Sequence, residues 1–379
     1  MLKFDQLSFW EKSAVLEEID FLIVGAGLVG FSTAMALRDL YPDAKIVILE
    51  RGYLSTGAST KNAGFACFGS ATELIDDLKI MPEAAVWETV DLRFRGLTKL
   101  LERFSVEEIR YINSGSWDLI HEKNLDTRRE TSEQLDYLNK KIKEITGSEN
   151  CFNEDLSVSE KFGFRQIPTS FHNRLEGEIR TDQLLISMNR KLASAGIIVL
   201  YGVEVLNIES FQQNTTLTTN FGEISGKKVA ITVNGFAQKL LKDKRINPAR
   251  AQVLVTSPID NLKLKGTFHY DAGYYYFRNI GNRILLGGGR NLDIQGETTT
   301  EFENTSLITD SLTNLLQEVI IPGSSFTVDY QWAGIMGVGN EKKPIIELIH
   351  PNAAIGVRMG GMGIAIGSIV GEKLAKLLL

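Results

Sequence analysis

The sequence predicts an α/β fold with an α+β second domain, and three observations predict it. Near the N-terminus a glycine motif falls between an apolar strand and an amphipathic helix. The strand-and-helix rhythm it opens lapses in the middle of the chain and returns after residue 176. Two segments rich in Val, Tyr, Phe and Leu, 248–257 and 273–289, then announce a second sheet of a different kind.

Phe21 to Val24 reads as a buried strand, and Ala34, Met35, Leu37 and Leu40 recur at helical spacing over Phe31–Leu40. Gly25, Gly27 and Gly30 stand between them at G-x-G-x-x-G spacing. Such a turn lets backbone approach a pyrophosphate while the first N–H groups of the helix face it. A second strand, Lys45 to Leu49, ends in Glu50, about 20 residues past the motif, where an acid can accept ribose hydroxyls. The motif with its strand, helix and acid predicts a dinucleotide site.

The 379 residues suggest two or three structural units, and 43% hydrophobic residues are enough to fill their cores. With a net charge of -6 and no long basic run, the chain lacks the electrostatic footprint of a nucleic-acid binder. Cys67 and Cys151 are far apart and have no C-x-x-C spacing, so buried free thiols are expected rather than a disulfide framework or a zinc site. His172 and His269 have no metal-ligand spacing either, and structural roles are expected for both. The first twenty residues carry no apolar segment of the kind a signal peptide needs. The apolar stretch 353–379 is interrupted by Arg358, Glu372 and Lys373, so no membrane span is predicted and a cytoplasmic protein is expected.

After Glu50 the small residues 54–64 form a loop beyond the second strand, where Ser55, Ser59 and Asn62 can reach a further part of a cofactor. Residues 73–101 are helical with a break at Met81-Pro82. A strand over 116–121, a charged helix over 125–145 and a loop over 147–157 follow, and these open an inserted second domain. The nucleotide-binding rhythm resumes with a helix over 181–193, capped by Thr181-Asp182, and with strands over 197–200, 203–208, 217–219, 223–225 and 227–233. Asn234-Gly235 then precedes a short helix, making another strand-glycine-helix edge. In the second sheet Gly281-Asn282 is a hairpin turn. A helix near 305–319 and a strand over 326–332 lead to the strand 353–358. The cluster Met359-Gly360-Gly361-Met362-Gly363 then opens the last helix, whose N-terminus suits an anionic or electron-rich group.

Taken in order, GAGLVGFSTAMALRDLYPDAKIVILER, GASTKNAGF, EGEIRTDQLL, VAITVNGFAQKL, PARAQVLV, YYYFRNIGNRILLGGGR, YQWAG and RMGGMGIAIGSIVGEKLA resemble the FAD-dependent D-amino-acid oxidase superfamily, in its glycine oxidase, sarcosine oxidase and γ-glutamylputrescine oxidase branch. The resemblance implies a Rossmann-like FAD domain of discontinuous segments, 1–95, 176–247 and 331–379, and an antiparallel-sheet substrate domain, 96–175 and 248–330, laid over the flavin. It implies that Gly25, Gly27, Leu28, Gly30, Glu50 and Arg51 bind the ADP half, and that Ser59, Asn62, Ala63 and Gly64 flank the flavin. Val205 would meet the adenine end through its backbone, with Asn234 and Gly235 on the same cofactor edge. Gly361, Met362, Gly363 and Ile364 would lie at the pyrimidine edge of the isoalloxazine, where a helix N-terminus stabilises the negative charge of reduced flavin.

The departures are informative. Relatives that attach FAD covalently use a histidine in the early loop or a cysteine near the last substrate strand. Here Lys61 and Gly334-Ile335-Met336 stand in those regions, so noncovalent FAD is expected. The arginine that holds a substrate carboxylate in glycine-oxidase-like members is missing after Trp332-Ala333-Gly334, and Ala365 stands where sarcosine-oxidase-like members carry a lysine. In the alternating strand Tyr274, Tyr276 and Arg278 share one face, so Tyr276 and Arg278 are candidate substrate residues and Arg278 a candidate carboxylate anchor. Arg290 and Arg358 are weaker candidates for that role. Lys61 is a candidate to approach flavin N5 and assist oxygen.

The expected activity is oxidation of a small amine or amino-acid-like substrate, with hydride passing to flavin N5 and water hydrolysing the imine. Two alternatives use the same scaffold: flavin-dependent tRNA modification or hydroxy-acid oxidation, and a non-catalytic flavin-binding or redox-sensing protein. No metal, nucleic-acid partner or membrane span is expected, and the oligomeric state is open.

Overall fold

The computed structural model describes residues 3–211 and 214–379. Its first sheet has the strand order Ile345–His350, Ala353–Val357, Lys228–Ile231, Phe21–Val24, Ile46–Glu50, Ile198–Tyr201, all parallel except the antiparallel edge strand Ile345–His350. Strands buried on both faces read as continuous apolar runs, and all four residues of Phe21–Val24 are buried. From this central strand the chain proceeds to Ile46–Glu50 on one side, while its other neighbour, Lys228–Ile231, arrives much later. That reversal leaves a crevice beyond the carboxyl ends of the strands, where ligands of open α/β sheets sit.

The helices Leu28–Leu40, Glu83–Arg103 and Gly363–Leu377 pack together through Val29, Leu92, Ala365, Ile366, Ile369 and Val370. A side chain added at Gly367 would meet Leu28, and one at Gly371 would meet Ser32. Each step of four along one helix is thus matched by a step of four along the other, so the two run in the same direction and present their N-termini at the same end.

The second sheet has eight strands in the order Val328–Val338, Asn247–Thr256, Arg283–Gly288, Tyr275–Ile280, Thr267–Tyr270, Ser116–Ile120, Thr169–Asn173, Phe152–Asp155. It is antiparallel apart from the pairing of Thr267–Tyr270 with Ser116–Ile120. Alternation decides its faces. Leu254, Leu286, Phe277, Phe268 and Trp117 line up across five strands on the outer face, under Ile308, Leu312 and Leu316. The rings of Phe268 and Phe277 stack at 5.0 Å. One residue along, the row Trp332, Val253, Gly287, Tyr276, His269, Asp118 lies on the inner face.

Several local expectations need correction. The segment 147–157, read as a loop, contains the edge strand Phe152–Asp155, and the 54–64 loop contains the helical turn Ala58–Lys61. Thr181 does not cap its helix: its hydroxyl donates to Asn62 Oδ1 at 2.8 Å, and the N-cap is Arg180. The strands Val205–Phe211, Thr215–Thr219 and Gly222–Gly226 do not join the parallel sheet but form a separate three-stranded one. The strands Thr169–Asn173, Thr267–Tyr270 and Ile345–His350 were not legible as strands, being short and polar or irregular in pattern. The expected boundaries at 95/96 and 330/331 cut through the helix Glu83–Arg103 and the strand Val328–Val338.

Candidate active site

The crevice begins at the turn after Phe21–Val24. Gly25 has φ +102°, a conformation that side-chain-bearing residues avoid, and a Cβ on Gly30 would stand 1.9 Å from the Gly25 carbonyl oxygen. Helix Leu28–Leu40 can therefore approach its strand only with glycine at position 30. Glu50 is buried, with Oε2 accepting from Ala26 N at 3.1 Å and Oε1 from Gly52 N at 2.9 Å, which holds the carboxylate beside the turn. Ser59 Oγ accepts from Leu28 N at 2.9 Å, satisfying from a distance one of the donors that a helix start leaves free. Gly27, Leu28, Glu50 and Ser59 are thus gathered at one place.

From Ser59 the chain passes directly to the second sheet. The Lys61 carbonyl accepts from Trp332 Nε1 at 2.9 Å, and a Cβ on Gly334 would lie 3.0 Å from that of Lys61. The Lys61 ammonium lies 5.5 Å from the Phe302 ring. Asn62 is occupied within its own loop, donating to the carbonyls of Ala58 and Ser59 while Oδ1 accepts from Gly64 N. Ala63 packs with Val253, Val255 and Leu285, and Phe65 meets the rings of Tyr276 at 5.8 Å and His269 at 5.4 Å. Tyr276 covers Gly287 and is partly buried, and burial pushes its phenol up to about 12, so it remains a proton donor.

At the other side of the crevice Asn234, with φ +47°, accepts from Met359 N at 3.1 Å, and Gly360 N donates to Gly337 O at 2.9 Å. Gly235 lies against the Met336 carbonyl, and Gly361 against the Met336 sulfur. These contacts join Asn234, Gly235 and Gly361 to the second sheet. Helix Gly363–Leu377 follows, with Met362 at its N-cap and Ile364 buried in its first turn. Val205 opens the first strand of the three-stranded sheet, two residues after Val203, whose N–H donates to the Glu50 carbonyl at 2.9 Å. Arg51 projects away from Glu50, its guanidinium 3.8 Å over the Phe236 ring.

Arg278 does not present a free guanidinium to a substrate. Its Nη1 donates to the carbonyls of Ile179, Gly64 and Ala63 at 2.8, 3.2 and 3.4 Å, its Nε to Asn279 O at 3.3 Å, and its Nη2 lies 3.0 Å from Glu178 Oε1. The expected carboxylate anchor is instead a buried clamp on the 62–66 segment. Tyr276 shares its strand face, whereas Tyr274 lies in the turn before the strand and is half exposed. Arg358 is likewise committed, to Glu341 and the Lys343 carbonyl. Arg290 follows the strand Arg283–Gly288, and its Nε is buried without a hydrogen-bond partner.

Beyond Tyr276 the inner face becomes polar. One ligating atom from each of Cys67, Glu176 and His269 lies within 4.8 Å of the others. Glu176 is buried, accepting from the N–H groups of Phe68 and Gly69 and from the Ser116 hydroxyl, and burial raises its carboxyl to about 7. Burial likewise raises Asp118 to about 6, drives the Cys67 thiol well up, and lowers His269 to about 4. Burial alone would raise Glu73, but Arg93 and Lys342 outweigh it and bring its carboxyl down to about 2. The EGEIR segment held the one available signal: Glu176 and Glu178 flank a glycine at i, i+2 and so point to the same side.

The fold has counterparts among known proteins. A family model described as FAD dependent oxidoreductase (DAO) matches residues 20–377. "Probable oxidoreductase OrdL" of Haemophilus influenzae is 18% identical over an alignment of 389 residues that takes in 96% of this chain and 84% of that one. L-proline dehydrogenase from P. horikoshii superposes with a TM-score of 0.74 at 17% identity, covering 96% of this chain and 94% of that one. Glycine oxidase from Bacillus cereus gives a TM-score of 0.72 at 18% identity, covering 95% and 97%. At such identities the likeness to the solved structures is one of fold.

Proposed function

The chain belongs to the FAD dependent oxidoreductase (DAO) family, and from that premise we propose that it oxidises a small amine or amino-acid-like substrate, with FAD held noncovalently. The observation that carries this reading is the course of residues 59–65. Within seven residues the chain joins the helix N-terminus at Leu28, through Ser59, to the sheet face bearing Tyr276 and His269, through Phe65. A cofactor lying along that course has its pyrophosphate at one end and a hydrogen-bonding sheet face at the other.

The residues fit FAD. Gly27 and Gly30 leave room for backbone to approach a pyrophosphate, the N–H groups after Gly27 supply donors, and Glu50 supplies the ribose acceptor. The second helix N-terminus, at Gly363, points to the same end as the first and carries the partial positive charge that favours an anionic ring edge. Neither Lys61 nor Gly334-Ile335-Met336 offers a histidine or cysteine for covalent attachment, and the thiols of Cys67 and Cys151 are buried. FAD supplies the hydride acceptor for this chemistry, and the imine product is hydrolysed by water.

The chain's part is to position and polarise. Tyr276, protonated and partly buried, offers a hydroxyl at the sheet face, and the Lys61 ammonium stands at the edge of the same face. Arg278 acts at one remove, holding the Ala63–Gly64 backbone against the sheet.

The test is an anaerobic screen of amines, amino acids and hydroxy acids against the purified flavoprotein. Bleaching of the flavin absorbance by an amine or amino acid upholds the reading. Bleaching by hydroxy acids alone replaces it, and a colourless protein that cannot be reconstituted with FAD removes its cofactor.

A further inference from the structure

At the inner face beyond Tyr276 the arginines and lysines are already spent. Arg278 is paired with Glu178, Arg93 with Glu73, and Lys342 with both Glu73 and Asp77. The acids there are Glu73, Asp77, Asp118, Glu176 and Glu178, so five carboxyls face three cations. Of the unsatisfied side-chain atoms described there, one is a donor, Asn173 Nδ2, and three are acceptors. Asp118 is 2% exposed and Glu178 6%, yet Asp118 Oδ1 and Glu178 Oε2 are buried without a hydrogen-bond partner, as is His269 Nε2. Each can accept a hydrogen bond, and leaving such atoms unpaired in a low-dielectric site is destabilising. Asp118 stands directly beside His269 in the sheet register, and His269 beside Tyr276.

We propose that the end of the sheet face formed by His269, Asp118 and Glu176 seats an ammonium group, so that the substrate is a cationic amine held by acceptors rather than an α-amino acid held through its carboxylate. The proposal rests on the amine-oxidising reading above and narrows it. One ligating atom of Glu176 and one of His269 lie within 4.8 Å of one another, a separation that a single ammonium nitrogen about 2.9 Å from each can span, and Asp118 stands beside His269 in register. Ammonium binding fills unpaired acceptors and offsets the excess of acid. His269, held unprotonated by burial, accepts a hydrogen bond from the bound ammonium at a ring nitrogen. A carboxylate at the same place would meet Asp118 and Glu176 and be repelled. Lys61 and Arg290, which make no ion pair among the described residues, stand at other strands: Lys61 against Gly334 and Arg290 after Gly288.

The test uses two probes of one shape and opposite charge, neither with an α-hydrogen to lose: tert-butylammonium and pivalate. Binding to the holoprotein is followed by calorimetry, with flavin content recorded separately. Tert-butylammonium should bind with a Kd at least tenfold below that of pivalate. Asp118→Asn and Glu176→Gln should each raise its Kd tenfold or more while FAD is retained, and should one variant fail to fold, the other carries the test. Tighter binding of pivalate, abolished in Lys61→Met, overturns the proposal, as does an ammonium affinity that neither variant changes. A divalent metal retained at one per chain and lost in Cys67→Ser also overturns it, because the metal would occupy the same acceptors. Protein without FAD that still prefers the ammonium would sink the oxidoreductase reading and leave this site standing.

Discussion

Arg278 Nη2 lies 3.0 Å from Glu178 Oε1, and both side chains are less than a tenth exposed. The pair ties the strand Tyr275–Ile280 of the eight-stranded sheet to Gly177–Glu178, which pairs with Phe65–Ala66. Burial disfavours the charge on each partner, and their mutual attraction opposes it.

Arg278→Ala should therefore act first on stability. Removing one member of a buried pair leaves the other uncompensated and typically costs about 3–5 kcal/mol. Four backbone carbonyls lose their donor at the same time. Denaturant unfolding and flavin content should both fall. A variant of unchanged stability with only a raised KM for carboxylate substrates would restore Arg278 to the substrate.

Gly30→Ala should abolish flavin retention or folding, because its methyl would enter the Gly25 carbonyl. Gly57→Ala is the matched control: its φ is -77°, and nothing lies within 4 Å of the added carbon. The ratio of flavin to protein absorbance after purification separates the two.

Ser59→Ala removes the acceptor for Leu28 N. Loss of such a helix-start partner costs about 1 kcal/mol, and the released donor alters the helix end proposed to face a pyrophosphate. Expected outcomes are a small drop in the unfolding midpoint and weaker FAD binding in reconstitution titrations.

The pH dependence of stability should carry two opposed acids. Glu73, lowered to about 2 by Arg93 and Lys342 against the pull of burial, stabilises the native state above its unfolded value of 4.5, and that contribution is lost as pH falls from 4.5 towards 2. Glu176 is raised from 4.5 to about 7 by burial, so the native state binds the extra proton, and its contribution is present below 4.5 and lost as pH rises to about 7. Glu176→Gln should accordingly flatten a decline in stability between about pH 4.5 and 7, measured by denaturant unfolding in a pH series. If that decline persists in the variant, Glu176 is not its source.

The opening strand–helix–strand unit was legible because its parts are contiguous. Strand, glycine turn, helix, second strand and Glu50 fall within residues 21–50, and each follows from its neighbours through apolar periodicity, close backbone approach and strand alternation. The alternation rule also put Tyr276 and Arg278 on one face. What that face meets was decided by packing: the carbonyl of Ile179 is 99 residues from Arg278 in the chain and that of Gly64 is 214, distances over which no local pattern runs. An arginine in an alternating strand looks the same whether it awaits a carboxylate or clasps its own backbone. The acid-rich end of the sheet was hidden for the same reason, since Cys67, Asp118, Glu176 and His269 come from four separate segments. Local sequence determined where a dinucleotide can lie; only the tertiary structure decided which charges remain unpaired opposite it, because pairing depends on which distant groups burial brings together.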